Sequence, residues 1–156
     1  MDYKDYMEEV KDELTRADHL IFVSLKYTRT VDVIIHILQR FIAALDKIFY
    51  ALLADLEENG KIDSIPVAPI KRVMLVKKYF SEDKLIIEFC NYFLRLRKLI
   101  KLRYSKECEF RRHVAMRNEN PEDEEFVFNI DVVTEDFHKL KEFFTHILTL
   151  IPLDDK

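Results

Sequence analysis

The chain has 156 residues and a formal net charge of −4, and its 49% of hydrophobic residues support a packed core and exclude intrinsic disorder. It contains a single glycine, Gly60, whereas P-loops and Rossmann phosphate-binding loops need glycine at several fixed positions. Both classes of nucleotide-binding enzyme are therefore excluded, and a fold of many strands joined by tight glycine turns is disfavoured.

Helical spacing of apolar residues dominates the first part of the chain. It predicts a first helix over 4–26 and a long second helix over 30–58. Thr28 or Thr30 is the expected N-cap of the second helix, and Asn59-Gly60 is its expected end. Residues 61–69 follow as a linker, because two prolines in four residues forbid regular helix there.

The second part of the chain predicts shorter elements. We expect a helix over 70–79, a helix capped by Ser81 that runs to about 101, and a weaker helix over 105–117. Residues 126–130 show the alternation of a short strand, too isolated to build a sheet on. A last helix is expected over 131–150.

These elements predict an all-α fold, an antiparallel helical bundle with two long N-terminal helices followed by three or four shorter ones. The expected domain is a single one over 1–156, with 61–69 and 118–130 as internal loops. The apolar stripe of helix 30–58 is wide enough to serve both a core and a dimer seam, so we expect a homodimer.

Cellular location and cofactors follow from what the sequence lacks. Cys90 and Cys108 are separated by seventeen residues, which is no metal-binding pair, and we interpret them as structural thiols, with a disulfide as the alternative. The acidic N-terminus is no signal peptide, and no long apolar run predicts a membrane span. We expect a cytoplasmic protein without a cofactor.

The first candidate site is a basic segment over 71–117. It holds fourteen Lys or Arg against five Asp or Glu, a local net charge of +9, between acidic segments on either side. A one-sided basic surface attracts phosphate, which suggests RNA or nucleotide binding. The alternative is a solvated face that pairs with the acidic segments. The residues expected to contact phosphate are Arg95, Arg97, Lys98, Lys101, Arg103, Arg111 and Arg112.

The second candidate site surrounds the turn into the long helix. Arg29 and His36 are seven residues apart and are expected on one helical face, where a guanidinium and an imidazole can support metal-independent RNA cleavage. Tyr27 and Asp32 are the supporting residues. The alternative is a buried polar network in which Asp32 pairs with Arg29.

A third group, His138, Glu142 and His146, is spaced four residues apart on the last helix. Histidine and carboxylate suit zinc or iron, but one helix rarely completes a coordination sphere. No metal site is therefore predicted, and these three are weak candidates only.

Residues 17–34, ADHLIFVSLKYTRTVDVI, resemble a family of uncharacterised prokaryotic helical proteins, mainly archaeal. The layout of two long helices and several shorter ones is also similar to the HEPN superfamily. That resemblance implies a helical bundle that is often dimeric. It also implies one of two functions, a ribonuclease with an Arg–His motif or a non-catalytic partner of a nucleotidyltransferase. Arg29 and His36 match that motif, with Thr30 at the position after the arginine, where Asn, Asp or His is usual.

The leading functional hypothesis is a non-catalytic HEPN-like module that self-associates or binds a partner. The alternatives are a HEPN-like ribonuclease that uses Arg29 and His36, and a nucleic-acid or nucleotide-binding protein that uses the basic segment.

Overall fold

The computed structural model describes residues 1–153 as a set of helices around a central long helix, with a small sheet on one side. The elements in chain order are α1 (Tyr3–His19), a π-helical turn (Leu20–Ser24), α2 (Leu25–Tyr27), α3 (Val31–Glu58), α4 (Pro69–Tyr79), α5 (Lys84–Leu99), β1 (Tyr104–Glu107), β2 (Ala115–Asn118), β3 (Val127–Asn129) and α6 (Ile130–Leu150).

Helix α3 occupies the centre of the core. Thr30 caps its first turn by accepting a hydrogen bond from the Val33 amide, and Gly60, with a φ of +74°, ends it in the left-handed conformation. Its partners are α1, α4, α5, α6 and β2. Its buried residues lie mainly on one broad face of the helix: Val31, Ile34, Ile37, Leu38, Phe41, Ala44, Leu45, Ile48, Phe49, Ala51, Leu52, Leu53, Ala54 and Leu56.

This burial bears on the expected dimer seam. The apolar stripe of α3 is covered by elements of the same chain, so it supplies no apolar surface for a second copy. The homodimer stays a prediction, but it no longer follows from α3.

The all-α prediction is wrong, because β1, β2 and β3 form a three-stranded antiparallel sheet in that order. Residues 105–117, expected as a weak helix, contain β1, a turn and β2, and Met116 pairs with Phe128 of β3. The short FVFNI strand is therefore not isolated, and residues 118–130 are not only a loop. Val114, Met116, Phe126 and Phe128 are buried, and this apolar contact with the core holds the sheet in place.

The turn between β1 and β2 explains why the glycine count failed to predict the sheet. Cys108 and Phe110 adopt positive φ values of 52° and 68°, the left-handed region that glycine usually fills. Such residues cost about 1–3 kcal/mol each, and they persist only where surrounding contacts fix the loop.

The remaining helices differ from the prediction at their ends. Asp83, not Ser81, caps α5 by accepting a hydrogen bond from the Ile86 amide, and Asn129 caps α6. The predicted first helix is interrupted by the π-helical turn, in which the Leu25 amide donates to the Leu20 carbonyl.

Two further expectations concern the cysteines and the membrane. Both thiols are free; Cys90 is buried, where burial raises its pKa to about 12, but Cys108 is exposed. Within residues 1–153, no helix combines the length and the apolar character needed to cross a bilayer.

The Asp83 carboxylate ties α5 to α6, because His146 of α6 lies 2.7 Å from it. Burial alone would raise the pKa of Asp83, but the hydrogen bonds from His146 and the Ile86 amide outweigh it and hold that pKa below its usual 3.8. As the pH falls, the unfolded chain takes up this proton before the folded one does. The stability from Asp83 is therefore present above pH 3.8 and lost as the pH falls through the lower folded-state pKa.

We predict that Asp83→Asn, which keeps a capping side chain but removes the charge, lowers the free energy of unfolding by about 1 kcal/mol at neutral pH. The difference from the wild type should shrink below pH 3.8. Urea unfolding over a pH series measures it, with the exposed loop variant Asp63→Asn as control. A deficit that does not depend on pH would contradict the assignment.

Candidate anion-binding site

A cavity of about 420 Å³ opens between the π-helical turn, the β1–β2 loop and the start of α6. We call it the phosphate cavity because three cationic side chains, Lys26, Arg29 and Arg112, line it. Its wall consists of Ile21, Phe22, Leu25, Lys26, Arg29, Arg112, His113, Asn129, Ile130, Asp131 and Thr134.

The π-helical turn supplies the apolar side of the phosphate cavity. Ile21 and Leu25 are buried, whereas the Phe22 ring is 45% exposed and packs edge-on against Phe137 of α6. A π-helical turn has one more residue in each hydrogen-bonded turn than an α-helix, which changes the direction of the side chains that follow. Such turns occur frequently at functional sites. Phe22 belongs to this turn and lines the cavity.

Arg29 is the most informative residue of the wall. Its Nε atom is buried, and no group within residues 1–153 accepts a hydrogen bond from it. A buried charged donor without an acceptor is costly, because guanidinium N–H groups lose their water without replacement. An anionic ligand in the cavity would supply the missing acceptor.

The β1–β2 loop is attached to the turn before α3 by two hydrogen bonds. The Phe110 amide donates to the Arg29 carbonyl at 2.6 Å, and the Val31 amide donates to the Glu109 carboxylate at 3.1 Å. The Glu109 carboxylate lies at the N-terminus of α3, where the helix dipole favours negative charge. These contacts hold Arg112 and His113, from the same loop, in the wall that contains Arg29.

Positive charge dominates the wall. Lys26, Arg29 and Arg112 carry three positive charges against the single carboxylate of Asp131, and His113 adds a group that donates hydrogen bonds. The start of α6 also contributes, because the first N–H groups of a helix favour an anion. The arrangement suits an oxyanion such as a phosphate group.

Arg29 and His36, which the sequence pairs, line different cavities. His36 is exposed and lies in a groove between α1 and α3 with His19 and Arg40. Asp32 does not pair with Arg29 either; it accepts a hydrogen bond from Lys106 at 3.3 Å, which raises the Lys106 pKa. Tyr27 is 81% exposed.

Part of the basic segment 71–117 pairs with acidic residues of the same chain. Arg95 and Lys98 both bind the Glu124 carboxylate, and the hydrogen bond from Arg95 at 2.7 Å lowers the Glu124 pKa. Arg117 binds Glu107 at 2.7 Å. The alternative interpretation of this segment, a face that pairs internally, therefore describes these residues but not the whole segment.

Arg72 shows that one basic residue of this segment is structural. It is buried, donates to Asp46 at 3.0 Å and to the carbonyls of Pro66 and Val67, and lies over the Tyr50 ring. It thus fastens the linker before α4 to the core.

The other residues that were predicted to contact phosphate have different surroundings in the structure. Arg97 lies over the Phe93 ring, and Lys101, Arg103 and Arg111 are exposed without an ion pair to any residue of 1–153. Of the predicted set, Arg112 is the residue that lines the phosphate cavity.

The histidine group on α6 does not form a site. His146 pairs with Asp83, and the exposed His138 ring lies 6.4 Å from that of Phe22. Glu142 is exposed. No cluster of three metal-ligating side chains occurs in the part of the chain that the structure describes.

The sequence patterns did not predict Lys26, Glu109, His113 or Asn129 as site residues. The available signal was the tripeptide 111–113, two arginines and a histidine in a row. Arg112 and His113 share the cavity wall with Arg29 because the β1–β2 loop is held against the turn before α3.

Comparison of the chain with protein-family models, with curated proteins and with solved structures finds no match. The HEPN-like resemblance is therefore neither supported nor refuted, and the candidate site rests on its own geometry.

We predict that Glu109→Ala detaches the β1–β2 loop, because the Val31 amide loses its acceptor and Cys108 and Phe110 keep their unfavourable φ values. Amide hydrogen exchange at Val31 and Phe110 should accelerate, and the free energy of unfolding should fall by about 1–2 kcal/mol. Glu107→Ala, at the last residue of β1, is the control and should leave the Val31 amide protected. Equal exchange rates in both variants would contradict the attachment.

Proposed function

We propose that this protein is a non-catalytic module that binds single-stranded nucleic acid, with a backbone phosphate in the phosphate cavity. The observation that carries the proposal is the buried, unpartnered Arg29 Nε in a wall that also contains Lys26 and Arg112. Phosphate is the most abundant biological oxyanion that meets two guanidinium groups with several hydrogen bonds at once.

Exposed aromatic rings on the segments that form the cavity favour nucleic acid over free phosphate. Tyr27 is 81% exposed, Phe110 75% and Phe22 45%. Phe22 lines the cavity, and the Phe110 amide is hydrogen-bonded to Arg29. Water-exposed rings next to cationic side chains are the usual arrangement for stacking single-stranded bases while phosphates are neutralised.

Arg29 and His36 are not proposed as a catalytic pair, because they line different cavities. Self-association through α3 is not proposed either, since its apolar face is covered within one chain. The proposal therefore keeps the nucleic-acid-binding alternative, with its site in the phosphate cavity rather than along the whole basic segment 71–117.

We predict that Arg29→Gln weakens binding of a fluorescently labelled single-stranded RNA by roughly tenfold or more, because a charged hydrogen bond to phosphate contributes about 1.5–3 kcal/mol. The slope of log affinity against log salt should decrease by about 0.7, the value for one lost phosphate contact on a single strand. Fluorescence anisotropy over a salt series measures both quantities.

Arg117→Gln is the matched control, because it removes the same charge from an exposed arginine that is paired with Glu107. Its affinity should stay within about twofold of the wild type. Equal losses in the two variants would show a general charge effect, and an affinity independent of salt would exclude phosphate contacts altogether.

A further inference from the structure

A second groove, of about 570 Å³, lies between the end of α1 and the first turns of α3. It is lined by Thr15, Arg16, His19, Leu20, His36, Gln39 and Arg40, and we call it the Arg–His groove. It shares no residue with the phosphate cavity, although both are next to the π-helical turn: Leu20 lines the groove, and Ile21 and Phe22 line the cavity.

A buried carboxylate holds the two arginines of this groove. Glu13 is 5% exposed, and its two oxygens accept hydrogen bonds from Arg16 Nη1 at 2.9 Å and from Arg40 Nη1 at 2.8 Å. Burial of a carboxylate requires such pairing. One carboxylate against two guanidinium groups leaves one net positive charge at the groove.

Each guanidinium has donors left over. A guanidinium carries five N–H groups, and each arginine uses one nitrogen on Glu13. Because Glu13 fixes both side chains from the protein side, their remaining donors are oriented in advance, which lowers the entropic cost of binding an anion.

Two imidazoles and an amide complete the set of donors. His19 and His36 are exposed, and neither ring hydrogen-bonds to another residue of 1–153; the same holds for the Gln39 amide. No acidic side chain lines the groove. Two arginines next to two histidines disfavour a metal cation and favour an oxyanion.

We propose that the Arg–His groove is a second oxyanion site, which binds inorganic phosphate or the phosphate of a monoester independently of the phosphate cavity. Arg16 and Arg40 provide charge-assisted hydrogen bonds, His19 and His36 provide further ring N–H donors, and Glu13 is the positioning residue for the two arginines. The groove is large enough for a small organic molecule attached to the phosphate.

The test is a titration of the protein with inorganic phosphate at constant pH and ionic strength, followed by NMR of the imidazole carbons. We expect saturable shifts of the His19 and His36 rings, while the ring of His146, which is paired with Asp83, stays unchanged. Absence of a saturable shift at His19 and His36 up to millimolar phosphate would overturn the proposal.

Variants separate this site from the phosphate cavity. Arg40→Gln should weaken the phosphate affinity reported by the His19 ring by roughly tenfold. Arg29→Gln, in the other cavity, should leave that affinity unchanged. If loss of a Glu13 partner prevents folding of Arg40→Gln, the exposed variant His36→Ala decides, and it should weaken phosphate binding several-fold. An unchanged affinity in a folded Arg40→Gln or in His36→Ala would contradict the site.

Failure of this proposal is distinguishable from failure of the nucleic-acid proposal. Phosphate binding at His19 and His36 without RNA binding would support the groove alone. RNA binding that depends on Arg29, with no phosphate response at His19 and His36, would overturn the groove and leave the phosphate cavity in place.

Discussion

Helix α3 carries a broad apolar face along its whole length, and the other elements of the chain have to exclude water from it. Helices α1, α4, α5 and α6 cover part of this surface, and β2 covers another part. Phe49 contacts Phe93 of α5 at 5.2 Å between ring centroids, and Phe41 contacts Phe137 of α6 at 6.3 Å. Each of these elements packs against α3, and together they form one core.

The candidate site is a consequence of how the sheet meets α3. Burial of Met116 and Phe128 fixes the sheet against the core, and its β1–β2 loop then reaches the N-terminus of α3. The Val31 amide there needs an acceptor, which Glu109 provides. The same contact holds Arg112 in the cavity wall that contains Arg29, so one hydrogen bond at the start of α3 helps to bring cationic residues from distant parts of the chain to one cavity.

Basic and acidic groups that are separated along the chain lie close together in the folded structure. The basic segment and the acidic segment after it look like separate regions in the sequence, but Glu124 reaches back to Arg95 and Lys98. Salt bridges of this exposed kind add little stability. Their effect is to reduce the net charge around Arg95 and Lys98, while the Nε atom of Arg29 has no hydrogen-bond acceptor within residues 1–153.

Helix positions were predictable because apolar spacing and capping residues act locally. The Thr30 side chain caps the first turn of α3, and Gly60 ends the helix in the left-handed conformation that glycine favours. The sheet was not predictable in the same way: its turn uses Cys108 and Phe110 in left-handed conformations, and the contacts that hold them come from Arg29 and Val31. Interactions between residues so far apart in the chain leave no periodic pattern.

The same difference between local patterns and long-range contacts applies to the candidate site. Arg29 was identified from its residue type and position, and Arg112 from the local excess of charge. Their proximity, and the separation of Arg29 from His36, depended on the π-helical turn and on the sheet, neither of which the sequence predicted. Single candidate residues were therefore easier to predict from the sequence than the groups that these residues form in the folded chain.

The most direct test of the central claim is a crystal structure of the protein with a short single-stranded RNA. The account predicts a backbone phosphate in the phosphate cavity, with one oxygen within hydrogen-bonding distance of Arg29 Nε and another near Arg112. A bound strand that avoids this cavity and follows Lys101 and Arg103 on the surface would contradict it.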